Sequence, residues 1–256
     1  MTMQNMLNDP LANIVLMHAD DKLMLGHMQS DWTGLAPILE EDIAASSMSQ
    51  DDLSHALVLY EYLAKRFDIN TDDIAFERDA KDYRCCDLVT IPDEFDWAMA
   101  LTKRWLLDTF ASLVFDRLAT VDDEELAVRC ARLIPEQAIH VQHLNAWIIR
   151  LGSGNEESKA RMQAAVDKLS GYAGMMFEVP CTMAAETGSW HCGRDELFAQ
   201  WHESIMDTLM QAGLSATITL PADSLVGGRR SVHADHFTQQ QAEMTEVRRA
   251  DPAPTW

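Results

Sequence analysis

Apolar residues recur at intervals of three and four along most of the chain, which is the spacing of one face of an α-helix. The pattern predicts helices over residues 11–28, 37–67 and 73–86. From Trp97 to Leu118 the chain is apolar nearly all round, and this predicts a central, buried helix. The first half of the chain is therefore expected to be helical.

The second half of the chain continues the same spacing. We predict four more helices, over residues 122–151, 155–177, 194–212 and 233–249. Glycine and proline number only 11 and 8, so few positions interrupt long helices. Long helices with short connections pack most naturally as an antiparallel bundle. We expect an all-α fold with one helical domain over residues 1–256, in which 233–256 form the last helix and the C-terminal tail.

Four residues suggest how two of these helices meet. Gly152 follows the last apolar residue of its helix, where a left-handed cap is expected. Ser153, with Glu156 three residues later, resembles a capping box that opens the next helix. Pro135 should kink the preceding helix because it removes an internal hydrogen bond. The sequence thus predicts a tight helical hairpin at this point.

The net charge of −21 restricts the choice of partners. Asp and Glu number 41 against 20 Lys and Arg. Nucleic acid and anionic membrane surfaces are disfavoured, because both attract Lys and Arg. The simple interpretation is an acidic surface that keeps the protein soluble. The alternative is that part of this surface attracts a more basic partner subunit.

The cysteines point to a reducing compartment. Their number is odd, they show no CxxC spacing, and the N-terminus lacks the basic and apolar regions of a signal peptide. Reduced thiols in the cytoplasm fit best. The five cysteines are Cys85, Cys86, Cys130, Cys181 and Cys192.

Helical bundles of this length often hold di-iron sites, so the spacing of carboxylates and histidines matters. Such a site takes a Glu from each of two helices and a Glu-x-x-His motif from each of the other two. None of the nine histidines has a Glu three residues before it, and only Asp52 before His55 gives an acidic residue there. We interpret Asp52 and His55 as part of an exposed polar strip, with half of a metal site as the alternative.

Other polar residues lie on apolar helix faces. Asp108 sits within an otherwise apolar helix, and a buried carboxylate must be paired or hydrogen-bonded. We therefore expect Asp108 to bond a neighbouring helix. Glu136 and His140 could pair at positions i and i+4. His233 and His236 form an HxxH pair, for which packing at a helix start is a better interpretation than zinc binding.

Several segments, taken in order, resemble one family. Asp108, Glu136 and His140 match its helix motifs, whereas Ala111 stands where the family pattern has a histidine. The family is the structural C subunit of the bacterial ring-1,2-phenylacetyl-CoA epoxidase. The similar segments are LGHMQSDWTGLAPILEEDIA (25–44), IAFERDAKDYRCCDLV (74–89), WLLDTFASLVF (105–115), IPEQAIHVQH (134–143), WIIRLGSGNEESKARMQAAVDKL (147–169) and HADHFTQQQAEMTEVRRADPAPTW (233–256).

The resemblance implies a ferritin-like bundle with additional helices and a non-catalytic role. It implies a cytoplasmic complex in which a catalytic A subunit holds the di-iron site and this chain holds no cofactor. In the implied complex a reductase delivers electrons from NADPH, and the aromatic ring of phenylacetyl-CoA is epoxidised with O2. When alone, the chain could form a homo-oligomer.

On this interpretation four residues form a residual polar core without metal: Glu40, Asp108, Glu136 and His140. A divergent di-metal carboxylate oxygenase would use the same residues with Asp52 and His55. A ferritin-type iron store is a third option, and the missing Glu-x-x-His motifs argue against it.

Overall fold

A computed structural model describes residues 3–178, 193–220 and 227–251 of the protein. Within these ranges the chain forms eleven α-helices joined by loops and short 3-10 turns, with no strand. The helices are α1 (Met3–Asn8), α2 (Pro10–Gln29), α3 (Leu39–Phe67), α4 (Thr71–Phe76), α5 (Asp87–Thr90), α6 (Trp97–Leu118), α7 (Glu124–Gly152), α8 (Glu156–Ala173), α9 (Arg194–Ala212), α10 (Asp235–Met244) and α11 (Glu246–Ala250).

Two long helix pairs form the centre of the molecule. α2 packs mainly against α3, and α6 packs mainly against α7. Contacts between α3 and α7 join Lys65 to Glu125 and Asp51 to His140, so residue numbers rise along one helix as they fall along the other. The two helices are therefore antiparallel, as the sequence predicts. α8 and α9 cover the other sides of α6 and α7.

The predicted central helix is confirmed as α6. Asp96 caps its first turn by accepting hydrogen bonds from the backbone N–H groups of Ala98 and Met99, at 2.8 and 3.2 Å. Most of the helix is buried, including Trp105 and Phe115. A helix that is apolar nearly all round has to be enclosed by others, because each exposed apolar face would cost free energy.

The predicted glycine cap and capping box after α7 are both wrong. Gly152 is the last helical residue, and Ser153 follows it with a φ of −92°. A side chain at residue 152 would lie 2.8 Å from the Cβ of Ala212, so Gly152 allows the close approach of α7 and α9. Asn155, rather than Ser153, caps α8 by accepting a hydrogen bond from the N–H of Ser158 at 2.8 Å.

The helix predicted over residues 73–86 is shorter in the structure. α4 ends at Phe76, and the backbone N–H groups of Arg84 and Cys86 donate to the carboxylates of Asp20 and Asp21 in α2. Those bonds replace the internal bonds that a longer helix would need. The last predicted helix, 233–249, is divided at Thr245 into α10 and α11.

Some features of the sequence lie outside the described residues. They include Cys181, Cys192 and the end of the chain after Asp251. Among the helices of the described ranges, none combines the length and the hydropathy that a membrane crossing requires.

Candidate functional site

A buried cluster of charged side chains lies between the four long helices. α2 contributes Lys22, α3 contributes Asp52, α6 contributes Arg104 and Asp108, and α7 contributes His140. Each of the five residues is at most 2% exposed. Charged groups are rarely buried to this extent unless they are paired, so their contacts define the site.

Lys22 lies between the two carboxylates. Its Nζ is 2.7 Å from an oxygen of Asp52 and 2.7 Å from an oxygen of Asp108. Arg104 contacts the remaining oxygens, with Nη1 2.9 Å from Asp52 Oδ2 and 3.5 Å from Asp108 Oδ2. The two cations therefore balance the two carboxylates inside a core that excludes water.

The electrostatics hold this cluster in its charged form. Burial opposes the ammonium of Lys22, but the carboxylates of Asp108 and Asp52 outweigh that effect and raise its pKa. Burial likewise opposes the charge of Asp108, but Lys22, His140 and Arg104 together hold the pKa of Asp108 well below its usual range. Lys22 is consequently a permanent cation at neutral pH.

His140 links the cluster to the surface. Its Nδ1 lies 3.7 Å from Asp108 Oδ2, and its Nε2 lies 3.0 Å from an oxygen of the partly exposed Asp51. Burial lowers the pKa of His140, but the nearby carboxylate of Asp108 more than compensates and raises it. Gln137 completes the surroundings by donating to Asp108 Oδ1 at 3.0 Å.

His55 lies beside His140 and reaches the same surface. The two imidazole rings stack with their centroids 6.2 Å apart. Nε2 of His55 bonds Glu136 at 2.9 Å, and the side chain of Glu136 is 53% exposed. Burial lowers the pKa of His55, with a further contribution from Lys22.

The residues of this cluster do not fit a di-iron centre. Three groups could offer a ligand atom to one metal ion, since atoms of Asp52, Asp108 and His140 lie within 4.8 Å of one another. A di-iron site in a bundle takes four carboxylates and two histidines. The ammonium of Lys22 and the guanidinium of Arg104 instead contact the carboxylates that a metal would need.

Sequence reasoning placed some of these residues correctly. Asp108 is buried and bonds Lys22 and Gln137, which confirms the prediction that it bonds a neighbouring helix. His233 stacks on Phe237 with centroids 3.9 Å apart, as expected for packing at a helix start. The prediction for Asp108 rested on helix periodicity, which sets the face that a side chain occupies. The prediction for His233 rested on the lack of a cysteine or third histidine nearby in sequence.

Other placements are wrong. Glu40 is exposed, so it is not part of the polar core. Its neighbour Glu41 is buried and bonds His143 at 3.1 Å. Asp52 and His55 are fully buried rather than exposed, because the α3 face that carries them turns toward α2, α6 and α7.

The predicted pairing of Glu136 with His140 is also wrong. Glu136 bonds His55 of α3, and His140 bonds Asp51 of the same helix. The cause is the proximity of α3, since contacts between helices replace the i, i+4 contact within α7.

Lys22 and Arg104 were missed by sequence reasoning. Their signal is a charged group in a helix that is otherwise apolar: Asp20-Asp21-Lys22 interrupts one apolar pattern, and Lys103-Arg104 interrupts another. A cation and a carboxylate that each interrupt a buried helix are candidates to neutralise each other.

A second set of buried charges lies where segments distant in sequence meet α2. Arg78 bonds Asp20, and Nη2 of Arg229 lies 2.6 Å from an oxygen of Asp21. Tyr60 also donates to Asp20, at 2.6 Å. These contacts attach the loop after α4 and the segment before α10 to α2.

The bundle of long helices, with charged side chains of α2, α3, α6 and α7 meeting at its centre, defines the class of protein: an all-α, ferritin-like fold. One solved structure with a similar fold is described as protein 19 with aldehyde deformylating oxidase activity from Synechococcus. It superposes with a TM-score of 0.56 at 15% identity, over 79% of this chain and 88% of that one.

The family follows from the sequence comparison. A family model described as phenylacetic acid catabolic protein matches residues 1–256, and the chain belongs to that family. It is 28% identical over 251 residues to the C subunit of 1,2-phenylacetyl-CoA epoxidase from Escherichia coli K12, an alignment that covers 96% of this chain and 99% of that protein.

Proposed function

We propose that this chain is a non-catalytic, structural subunit of an epoxidase that acts on phenylacetyl-CoA in phenylacetate catabolism. Its role is to bind and stabilise the catalytic subunit, which holds the di-iron centre of the complex. The similarity to the C subunit of an epoxidase, over nearly the full length of both chains, supports the complex. The central cluster supports a structural role for this chain and a catalytic role for the other subunit.

One observation carries the non-catalytic role: the contact of the Lys22 ammonium with both central carboxylates at 2.7 Å. A metal ion that used Asp52 and Asp108 would have to displace this ammonium, which is itself buried. The displaced cation would lose both partners without gaining water, and an unpaired buried charge costs several kcal/mol. Lys22 and Arg104 thus neutralise the central carboxylates as protein-borne cations.

The experiment has two measurements on the same preparation. First, the chain is expressed alone with added iron, and its metal content is determined by elemental analysis. We expect essentially no iron. Second, catalytic and reductase subunits are combined with phenylacetyl-CoA, NADPH and O2, with and without this chain. We expect the chain to bind the catalytic subunit and to increase the lifetime of its activity.

A second candidate, a divergent metal-dependent oxygenase, rests on the three groups within 4.8 Å of one another. The same elemental analysis decides between the two functions. About two irons per chain, the content of a di-iron bundle, would contradict the structural role. Asp52, Asp108 and His140 would then be the first residues to replace.

A further inference from the structure

We infer that the outer face of α3 and α7 is the surface that docks the catalytic subunit; this inference rests on the proposed function. The two helices lie side by side and antiparallel, joined by His55–Glu136 and Asp51–His140 contacts. Their buried sides both face the core. Their exposed sides therefore form one continuous face, called here the α3/α7 face.

Between Ile43 and Leu57, the exposed positions of α3 on this face are all apolar or uncharged. Ile43 is 61% exposed and Leu57 is 49% exposed. The exposed positions between them are Ser47, Gln50, Leu53 and Ser54. Exposed positions of a helix are usually rich in charged residues, and this chain is 24% charged. The composition is that of a surface which becomes covered.

The α7 half continues the pattern. Ile139 is 64% exposed and Val128 is 48% exposed. Arg132 and Glu136 are the charged members of the exposed positions from Val128 to Ala146. The others are Ala131, Pro135, Ala138, Gln142 and Ala146. Small side chains of this kind let a partner helix approach closely.

The α3/α7 face also contains a groove. It lies between α3 and α7 with a volume of about 670 Å³, and Val58, Val128 and Leu133 form part of its lining. The rest of the lining is charged: Glu61 and Arg129 bond each other at 3.2 Å, and Glu124, Glu125 and Arg132 complete it. Side chains of a partner helix can enter such a groove, as ridges enter grooves between helices.

The area suits a stable complex. Both helices have 29 residues. At about 1.5 Å per residue and with axes about 10 Å apart, they present a face of about 40 by 20 Å, or about 800 Å². Stable complexes bury about 800 Å² on each partner. A partner with its own pair of long helices would match this shape.

Charge decides between a second copy and a different subunit. Two copies of a chain with a net charge of −21 repel each other, and the groove in the face is itself lined by three carboxylates, of Glu61, Glu124 and Glu125, against the two guanidiniums of Arg129 and Arg132. Like charges placed opposite each other across an interface are costly. The occupant is therefore a different helical subunit, with an apolar face bordered by Lys or Arg. In the proposed complex this subunit is the catalytic one.

The test compares variants that carry a new carboxylate on and off the face. Ile43→Asp and Ile139→Asp place it on the α3/α7 face. Met210→Asp is the matched control, since Met210 is also exposed, at 72%, and lies in helix α9. Circular dichroism with thermal melting checks the fold of each variant. Calorimetric titration with the purified catalytic subunit then gives the dissociation constants.

We expect each face variant to bind at least about 10-fold more weakly, as for a central interface residue, and Met210→Asp to bind like the wild type. If both face variants fold and bind with wild-type affinity, or if Met210→Asp weakens binding equally, the α3/α7 face is not the docking surface. The proposed function would remain intact. A wild-type chain that does not bind the catalytic subunit would refute both. If the chain alone forms a dimer and Ile139→Asp abolishes it, the face binds a second copy of the chain instead.

Discussion

Two buried lysines of the bundle show opposite behaviour. Lys22 and Lys103 are 2% and 1% exposed, so burial is nearly the same. Lys22 lies 2.7 Å from each of two carboxylates, which raise its pKa. Lys103 donates to the backbone oxygen of Ile91 at 2.8 Å, and Asp93 is its nearest carboxylate at 3.9 Å. Burial lowers the pKa of Lys103 to about 8.

The difference shows that nearby carboxylates, rather than the depth of burial, decide whether a buried lysine stays protonated. At Lys22 the attraction of two close carboxylates exceeds the cost of desolvation. At Lys103 one carboxylate at a longer distance does not compensate for that cost. Lys22 thus keeps its charge at neutral pH, whereas Lys103 loses its proton under mildly basic conditions.

The largest expected effect comes from removing the central cation. Lys22→Met removes one of the two permanent cations that contact Asp52 and Asp108. One buried carboxylate then lacks a balancing positive charge. We expect a loss of about 3–5 kcal/mol in the free energy of unfolding. Denaturant unfolding measures it. The double variant Lys22→Met/Asp108→Asn restores charge balance and should recover part of the loss. Equal stability of Lys22→Met and wild type would contradict the central role of this cation.

The same variant should gain affinity for a metal ion. Without the ammonium, Asp52, Asp108 and His140 remain with ligand atoms within 4.8 Å of one another. We expect Zn²⁺ to stabilise Lys22→Met by about 2.7 kcal/mol at 100 times its dissociation constant, and to leave the wild type unchanged. Thermal melting with and without Zn²⁺ measures this. Lys22→Met/Asp108→Asn, which lacks one ligand, is the control and should show a smaller shift.

Lys103 should make stability depend on pH in a defined direction. Its folded-state pKa of about 8 lies below the ordinary lysine value of 10.5, so on raising the pH the folded protein releases this proton before the unfolded chain does. Stability therefore rises with pH above 8. Relative to Lys103→Met, we expect the wild type to gain about 2 kcal/mol between about pH 7.5 and 9.5. Denaturant unfolding across this range measures the gain, and parallel curves for the two proteins would contradict the lowered pKa.

The smallest effect is expected where a lysine is paired but exposed. Lys65 lies 2.7 Å from Glu125, and its side chain is 69% exposed. Water and salt weaken such surface pairs. We expect Lys65→Met to melt at nearly the wild-type temperature in calorimetry. A loss comparable with that of Lys22→Met would show that pairing alone, without burial, controls these contributions.

Much of the fold could be predicted from the sequence, because helix periodicity is local. The bounds of α6, Trp97–Leu118, and the last residue of α3, Phe67, agree with the prediction. The ends of the helix near residue 86 could not be predicted. There the backbone N–H groups that would have continued a helix donate to Asp20 and Asp21, which are more than sixty residues away in the chain.

The central site was harder to predict than the fold. The absence of Glu-x-x-His could be read directly from the sequence, and so could a carboxylate at Asp108 on a buried face. The partners of Asp108 could not, because Lys22 is 86 residues away and the pairing depends on how the helices pack. Asp52 and His55 were placed on the wrong side for the same reason, since polar residues alone do not reveal that a helix face is covered.

The pairing of Arg229 with Asp21 has a consequence for biosynthesis. The two residues are 208 positions apart in the chain. At about 5–20 residues per second, the ribosome needs about 10–40 s to add Arg229 after it has added Asp21. During that interval the carboxylate of Asp21 can accept a hydrogen bond from the backbone N–H of Cys86 but lacks the guanidinium of Arg229, so its buried ion pair forms only after Arg229 has emerged. The segment before α10 therefore completes the charge pairing of the first long helix.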